Sequence, residues 1–211
     1  MSIDTKLTLS LKMGLYGGIA VLYLCMVGMV ETFGERDIIT SVISLGHIML
    51  VFAGLLIGYL TMQQIDHHIN PPQKVEREAL GPEAVTRSLT AGIITGLALG
   101  LLMLVLDRGV NVRDVFVSAS PKLLELLRLE TGVSPAVLSL LPFGNGLAAG
   151  VLRILVISAV LSLTGGALYL LPVTVRKPII LGVALVALFG LLSDLMRIAL
   201  DKKLKIDYWR L

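Results

Sequence analysis

The chain has 211 residues, of which 55% are apolar and only 16% charged, with a formal net charge of +3. A soluble globular domain carries about 25% charged residues, so this balance excludes an ordinary soluble fold and points to an integral membrane protein. The basic residues are scattered through short polar stretches between long apolar runs. That pattern excludes a nucleic-acid surface and suits a chain whose charges stay out of hydrocarbon and near lipid headgroups.

A membrane-spanning helix needs about 20 apolar residues, and about five stretches meet or approach that length. The first is 13–30, preceded by Lys6 and Lys12. It is longer than the ~7–15 residues of a signal-peptide core and shows no small-x-small cleavage site, so it is expected to be a retained helix. Its Cys25 is the single cysteine of the chain, which rules out an internal disulfide. A short polar turn, 31–37, leads to the second expected span, 38–62.

Within that span His47 stands out. It lies about nine residues from the expected start, roughly 14 Å at 1.5 Å per residue, which is near the bilayer middle. Intramembrane ionisable residues often line a path or a site. The alternative is a neutral imidazole bonded to Ser44, to a neighbouring helix or to a backbone carbonyl. Residues 63–87 are polar and contain Pro71, Pro72, Gly81 and Pro82, and so read as an extramembrane loop. Asp66, His67 and His68 lie in it, but adjacent histidines do not share a helix face. No Cys or further His completes a ligand set, so no metal site is expected.

The third expected span is 88–106. The following 107–145 stretch is long and mixed. Ser120 and Pro121 read as an N-cap with proline at the first helical position. Leu123, Leu124, Leu126, Leu127 and Leu129 follow, interrupted by Lys122, Glu125 and Arg128. This piece, about 121–129, is too short and too charged to span. It is expected to be an amphipathic helix lying at the interface or against the bundle. The sequence allows a second such piece at 134–141 and a re-entrant turn at 142–146.

The fourth and fifth expected spans are 146–171 and 178–196, bracketed by Pro142, Pro172 and Pro178. Arg153 lies one or two turns into the fourth. It is placed to bind an anionic group or to snorkel to the headgroups, and with His47 and Ser44 it makes up the candidate intramembrane polar site. Asp194, Arg197 and Asp201 are spaced as an interfacial salt-bridge ladder at the end of the fifth span. Tyr208 and Trp209 in the basic tail suit an interfacial anchor.

Glycine spacing indicates tight helix packing. Gly14/Gly18, Gly54/Gly58, Gly92/Gly96/Gly100 and Gly146/Gly150 each repeat every four residues. Each set therefore lies on one helix face, where backbones can approach closely. Gly54, Gly58, Gly92, Gly96 and Gly100 are the candidate packing residues. The fold class expected is thus an all-α polytopic bundle of about five transmembrane helices plus one interfacial helix, forming a single membrane domain over 1–211.

Orientation is pulled both ways. With five spans, Lys and Arg number seven on the side of the N-terminus and ten on the other, which favours a cytoplasmic C-terminus. The first helix argues the reverse, because Lys6 and Lys12 precede it and the acidic 31–37 turn follows. No phosphate loop, nucleophile elbow or zinc-protease motif is present. No catalytic centre and no cofactor are expected.

The element Ser44-Leu45-Gly46-His47 resembles the corresponding element of branched-chain amino acid ABC transporter permeases. Phe52, Ala53, Gly54, Gly58 and Tyr59 supply the aromatic and small residues that follow it in that family, at a spacing that departs from the family run. The chain is also similar to the extra N-terminal membrane region that some longer permeases of the family carry. That likeness rests on residues 4–12, 29–33 and 115–121. The resemblance implies a permease component of an importer in the cell (inner or plasma) membrane. It further implies ATP-binding subunits, a second permease subunit and a substrate-binding protein as partners, and a chain that is part of a longer transporter. The other reading of the same features is a non-transporting membrane scaffold.

Overall fold

The computed structural model describes residues 3–34, 37–39, 43–70, 80, 82–108, 121–128 and 147–182, together with 184, 185, 188, 192 and 196. The described chain is overwhelmingly helical. Helix α1 is Ile3–Met26 and α2 is Met29–Gly34. Helices α3, Leu45–Ile69, and α4, Pro82–Asp107, follow. Helix α5 is Pro121–Leu127 and α6 is Leu147–Leu170. Four of these, α1, α3, α4 and α6, are long and apolar enough to cross a membrane. This is an all-α membrane bundle. The chain divides into two units, Met1–Leu170 and Leu171–Leu211. In the second unit residues 173–182 are helical, and most of the expected 178–196 span lies outside the described residues.

Two boundaries move for identifiable reasons. The first span ends at Met26, not at Val30. Gly28 adopts φ 80°, a left-handed conformation that glycine enters without steric cost, and its carbonyl accepts the Thr32 N–H that opens α2. The second span begins at Leu45 rather than at Ile38. Ile38, Ile39 and Ile43 are β-branched and favour extended backbone. Asp37–Ile39 (β1) and Ile43–Ser44 (β2) form a short antiparallel ladder pairing Asp37 with Ser44. Ser44 then caps α3: its backbone is extended and its hydroxyl accepts from the His47 N–H. The same helix runs on through Asp66, His67 and His68 to Ile69, so the connection expected to open at Gln63 opens later.

The helices alternate in direction. Close approaches pair Gly14 with Ala91 and Gly18 with Ala98, so α1 and α4 run parallel. Gly54 meets Leu161 and Gly58 meets Ser162, so α3 and α6 run parallel as well. Gly92 meets Ser158 while Gly100 meets Val151, so α4 and α6 are antiparallel. One end of the bundle therefore gathers the start of α3, the end of α4, the start of α6, and α2 and α5. The other gathers the end of α3, the start of α4 and the end of α6.

The candidate packing glycines all lie at these crossings. A Cβ at Gly58 would sit 1.8 Å from the Ser162 carbonyl oxygen, and one at Gly92 2.5 Å from that of Ser158. Gly96 and Gly100 face Leu155 and Val151 at 3.1 Å, and Gly54 faces Leu161 at 3.0 Å. Such contacts are the source of cohesion in lipid, where hydrophobic burial offers no net drive between helices. The outward stripe of α1, including Leu15, Tyr16, Ile19 and Tyr23, is largely exposed, as befits a surface covered by acyl chains.

Candidate functional site

The polar side chains within the bundle divide into hydroxyls between the helices and two clusters at the ends. Among the hydroxyls, Thr61 donates to the Ile57 carbonyl, Thr95 to those of Ala91 and Gly14, and Ser162 to that of Ser88. Thr95 and Ser162 thereby bridge helices. Back-bonding of this kind satisfies a hydroxyl that has no water to turn to.

The richer cluster lies where α3 begins, and His47 is its hub. The structure places His47 in the first turn of α3, so its expected position near the bilayer middle is corrected: the late start of the helix moves it to one end of the span. The ring is buried. Its Nε2 lies 3.2 Å from the Leu126 carbonyl oxygen of α5, and its Nδ1 lies 2.7 Å from the Ser44 hydroxyl. A carbonyl can only accept, so Nε2 carries the proton; in the neutral ring Nδ1 then accepts from Ser44. Both ring nitrogens are engaged, and Ser44 serves as cap and as ring partner at once.

Arg153, on α6, meets the same short helix. It is the one buried charged side chain among the described residues, and its Nη1 donates to the Arg128 carbonyl at 3.5 Å. Two donors from two spans thus converge on the C-terminal carbonyls of α5, the end where a helix carries partial negative charge. Arg128 adds a third tie, an ion pair with Asp107 at the end of α4, both groups partly exposed. Beneath these polar contacts Leu123, Leu126 and Leu127 are buried, while Glu125 is exposed. Leu123 and Leu127 share a core with Val21, Cys25, Val30, Met103 and Ile154. The expected amphipathic helix is present, with its leucine face turned into the mouth of the bundle.

The second cluster closes the opposite end. The Tyr169 hydroxyl donates to Asp66 Oδ2 at 2.6 Å, and Asn70 Nδ2 donates to Oδ1 at 2.8 Å. Tyr59 stacks edge-on against Tyr169, with ring centroids 5.2 Å apart. Asp66 is therefore tied to α6, and His67 and His68 beside it are exposed.

The structure unites His47 with Ser44 and brings Arg153 to the same helix end. Asp194, Arg197 and Asp201, and the stretches 134–141 and 142–146, lie outside the described residues. Sequence reasoning missed Asp107, Arg128 and the Asp66–Tyr169 pair. The first two show only as charges at the margins of apolar runs. The last joins residues 103 apart in sequence, beyond any local periodicity. Comparison with protein-family models, with curated proteins and with solved structures finds no match for this chain.

Proposed function

We propose that this chain is an accessory membrane module that packs into a larger assembly and is not itself the conduit for a solute. One observation carries this reading. At mid-span α3 and α4 both lie in backbone contact with α6, through Gly58 and Gly92. Gly17 of α1 is closed off by Ile57 and Thr95. The hydroxyls of Thr61, Thr95 and Ser162 are committed to backbone carbonyls. A solute path needs polar groups free to exchange partners along its length, whereas these are spent on cohesion.

The likeness of Ser44-Leu45-Gly46-His47 to branched-chain amino acid permeases supplies the assembly: an ABC importer of the cell membrane. There the bundle would pack beside a permease core served by ATP-binding subunits and a substrate-binding protein. In that setting His47 holds the module together and does not touch cargo.

The test has two arms. Vesicles containing the purified chain alone should exchange radiolabelled leucine no faster than protein-free vesicles. The tagged chain should co-purify, in mild detergent, with ATP-binding and permease subunits from its native membrane. Leucine flux through the chain alone would overturn the accessory reading. Recovery of the chain without any transporter subunit would remove the importer as its assembly.

A further inference from the structure

We propose that α5 is a latched lid: a short helix that leaves the mouth of the bundle and returns, held by the His47–Arg153–Arg128 clasp and closing, when seated, the apolar core that contains Cys25. This inference stands on the geometry of α5 and does not depend on the importer reading.

Two observations and a physical argument between them carry it. First, α5 spans only seven residues, Pro121–Leu127, well below the roughly 12–15 at which an isolated helix becomes even marginal in water. Its persistence depends on its seat. Second, its leucine face has two seats of similar chemistry. One is the mouth of the bundle, where Leu123 is 0% and Leu127 3% exposed. The other is the bilayer interface next to it, which accepts the apolar face of an amphipathic helix. Exchanging one apolar surrounding for another costs far less than exposing those leucines to water, so burial alone does not decide between the seats. Third, what differs between them is polar and specific. Only the bundle seat supplies the His47 Nε2–H to the Leu126 carbonyl, Arg153 to the Arg128 carbonyl, and Asp107 to the Arg128 side chain. The clasp is therefore the determinant of closure. It draws on α3, α6 and α4, so it also senses the relative placement of three spans.

Cys25 provides a native reporter. It is the single cysteine of the chain, fully buried, and belongs to the same apolar core as Leu123 and Leu127. A lock is also available. A Cβ at Gly34 would lie 3.2 Å from Leu126 Cγ, which brings Cys residues at 34 and 126 within reach of a disulfide.

The experiment follows the rate at which N-ethylmaleimide modifies Cys25 in the full chain, in micelles and in phospholipid vesicles, read by mass spectrometry. His47→Ala, Arg128→Ala and Asp107→Asn should each speed modification by about tenfold, the scale expected for losing one clasp contact in a local opening. Amide exchange should accelerate over residues 123–128 in the same variants and stay unchanged over 92–103 of α4, which separates lid release from general loosening. The Gly34→Cys/Leu126→Cys chain should form its disulfide on oxidation and then protect Cys25, with dithiothreitol restoring reactivity. The proposal is overturned if the clasp variants react at the wild-type rate, if exchange rises equally in α4, if the 34–126 disulfide does not form, or if it forms and Cys25 reacts as before.

Discussion

At Gly58 the missing side chain is the structural feature. The α3 and α6 backbones touch there, and any Cβ would have to displace the Ser162 carbonyl, which lies on a rigid helix and cannot rotate away. Gly100 differs, because what it meets is the Cγ1 of Val151 at 3.1 Å, a side-chain atom that can give. Gly182 has nothing within 4 Å. Gly58→Ala should therefore destabilise by the overpacking cost of about 1–3 kcal/mol or more. Gly100→Ala should cost a fraction of that. Gly182→Ala should be neutral or gain up to about 1 kcal/mol from helix propensity. Thermal unfolding in detergent, followed by loss of the monodisperse peak, ranks the three; equal midpoints would contradict the packing described. The four-residue glycine rhythm was legible in the sequence, and Gly54, Gly58, Gly92, Gly96 and Gly100 do lie at helix crossings. Their partners were not legible, because the rhythm marks a face and carries no information about what faces it.

At the level of elements, the joints hold more information than the helices. The apolar runs predict where spans lie, but each run passes through residues that local chemistry converts into a break or an entry. Gly28 separates α1 from α2 by its positive φ, and α2 brings Val30 and Gly34 beneath α3 and α5. A non-glycine residue there enters the left-handed region at about 1–2 kcal/mol, with asparagine penalised least. Gly28→Val should lower the unfolding midpoint clearly, and Gly28→Asn should lower it less. Equal loss in both would point to space at that position instead of backbone conformation. Ser44 is the counterpart at α3. By fixing the start of the helix at Leu45, it decides that His47 sits at a helix end beside α5. Hydropathy alone extended that helix upstream, because isoleucine and valine are apolar in strands and helices alike.

For the whole molecule, the alternating helix directions carry a topological consequence. The end of α3 and the start of α4 share one face of the bundle, while α2 and the end of α4 share the other. His68, Thr86, Thr32 and Arg108 are all exposed, so each can carry a single cysteine in a Cys25→Ser background. Membrane-impermeant maleimide should reach positions 68 and 86 from one side of sealed vesicles and positions 32 and 108 from the opposite side. Labelling of 32 and 68 from the same side would refute the arrangement. The same measurement decides orientation, which the charge counts leave divided.

The sequence by itself determined the solvent of this protein, four of its apolar helices, the short amphipathic helix and the glycine faces. Each of these depends on composition or on a short-range period that neighbouring residues express. Only the tertiary structure decided how the polar residues are used. His47 meets Leu126 across 79 positions and Tyr169 meets Asp66 across 103. Whether a buried imidazole lines a path or clasps a helix depends on which distant carbonyl folding brings to its Nε2–H.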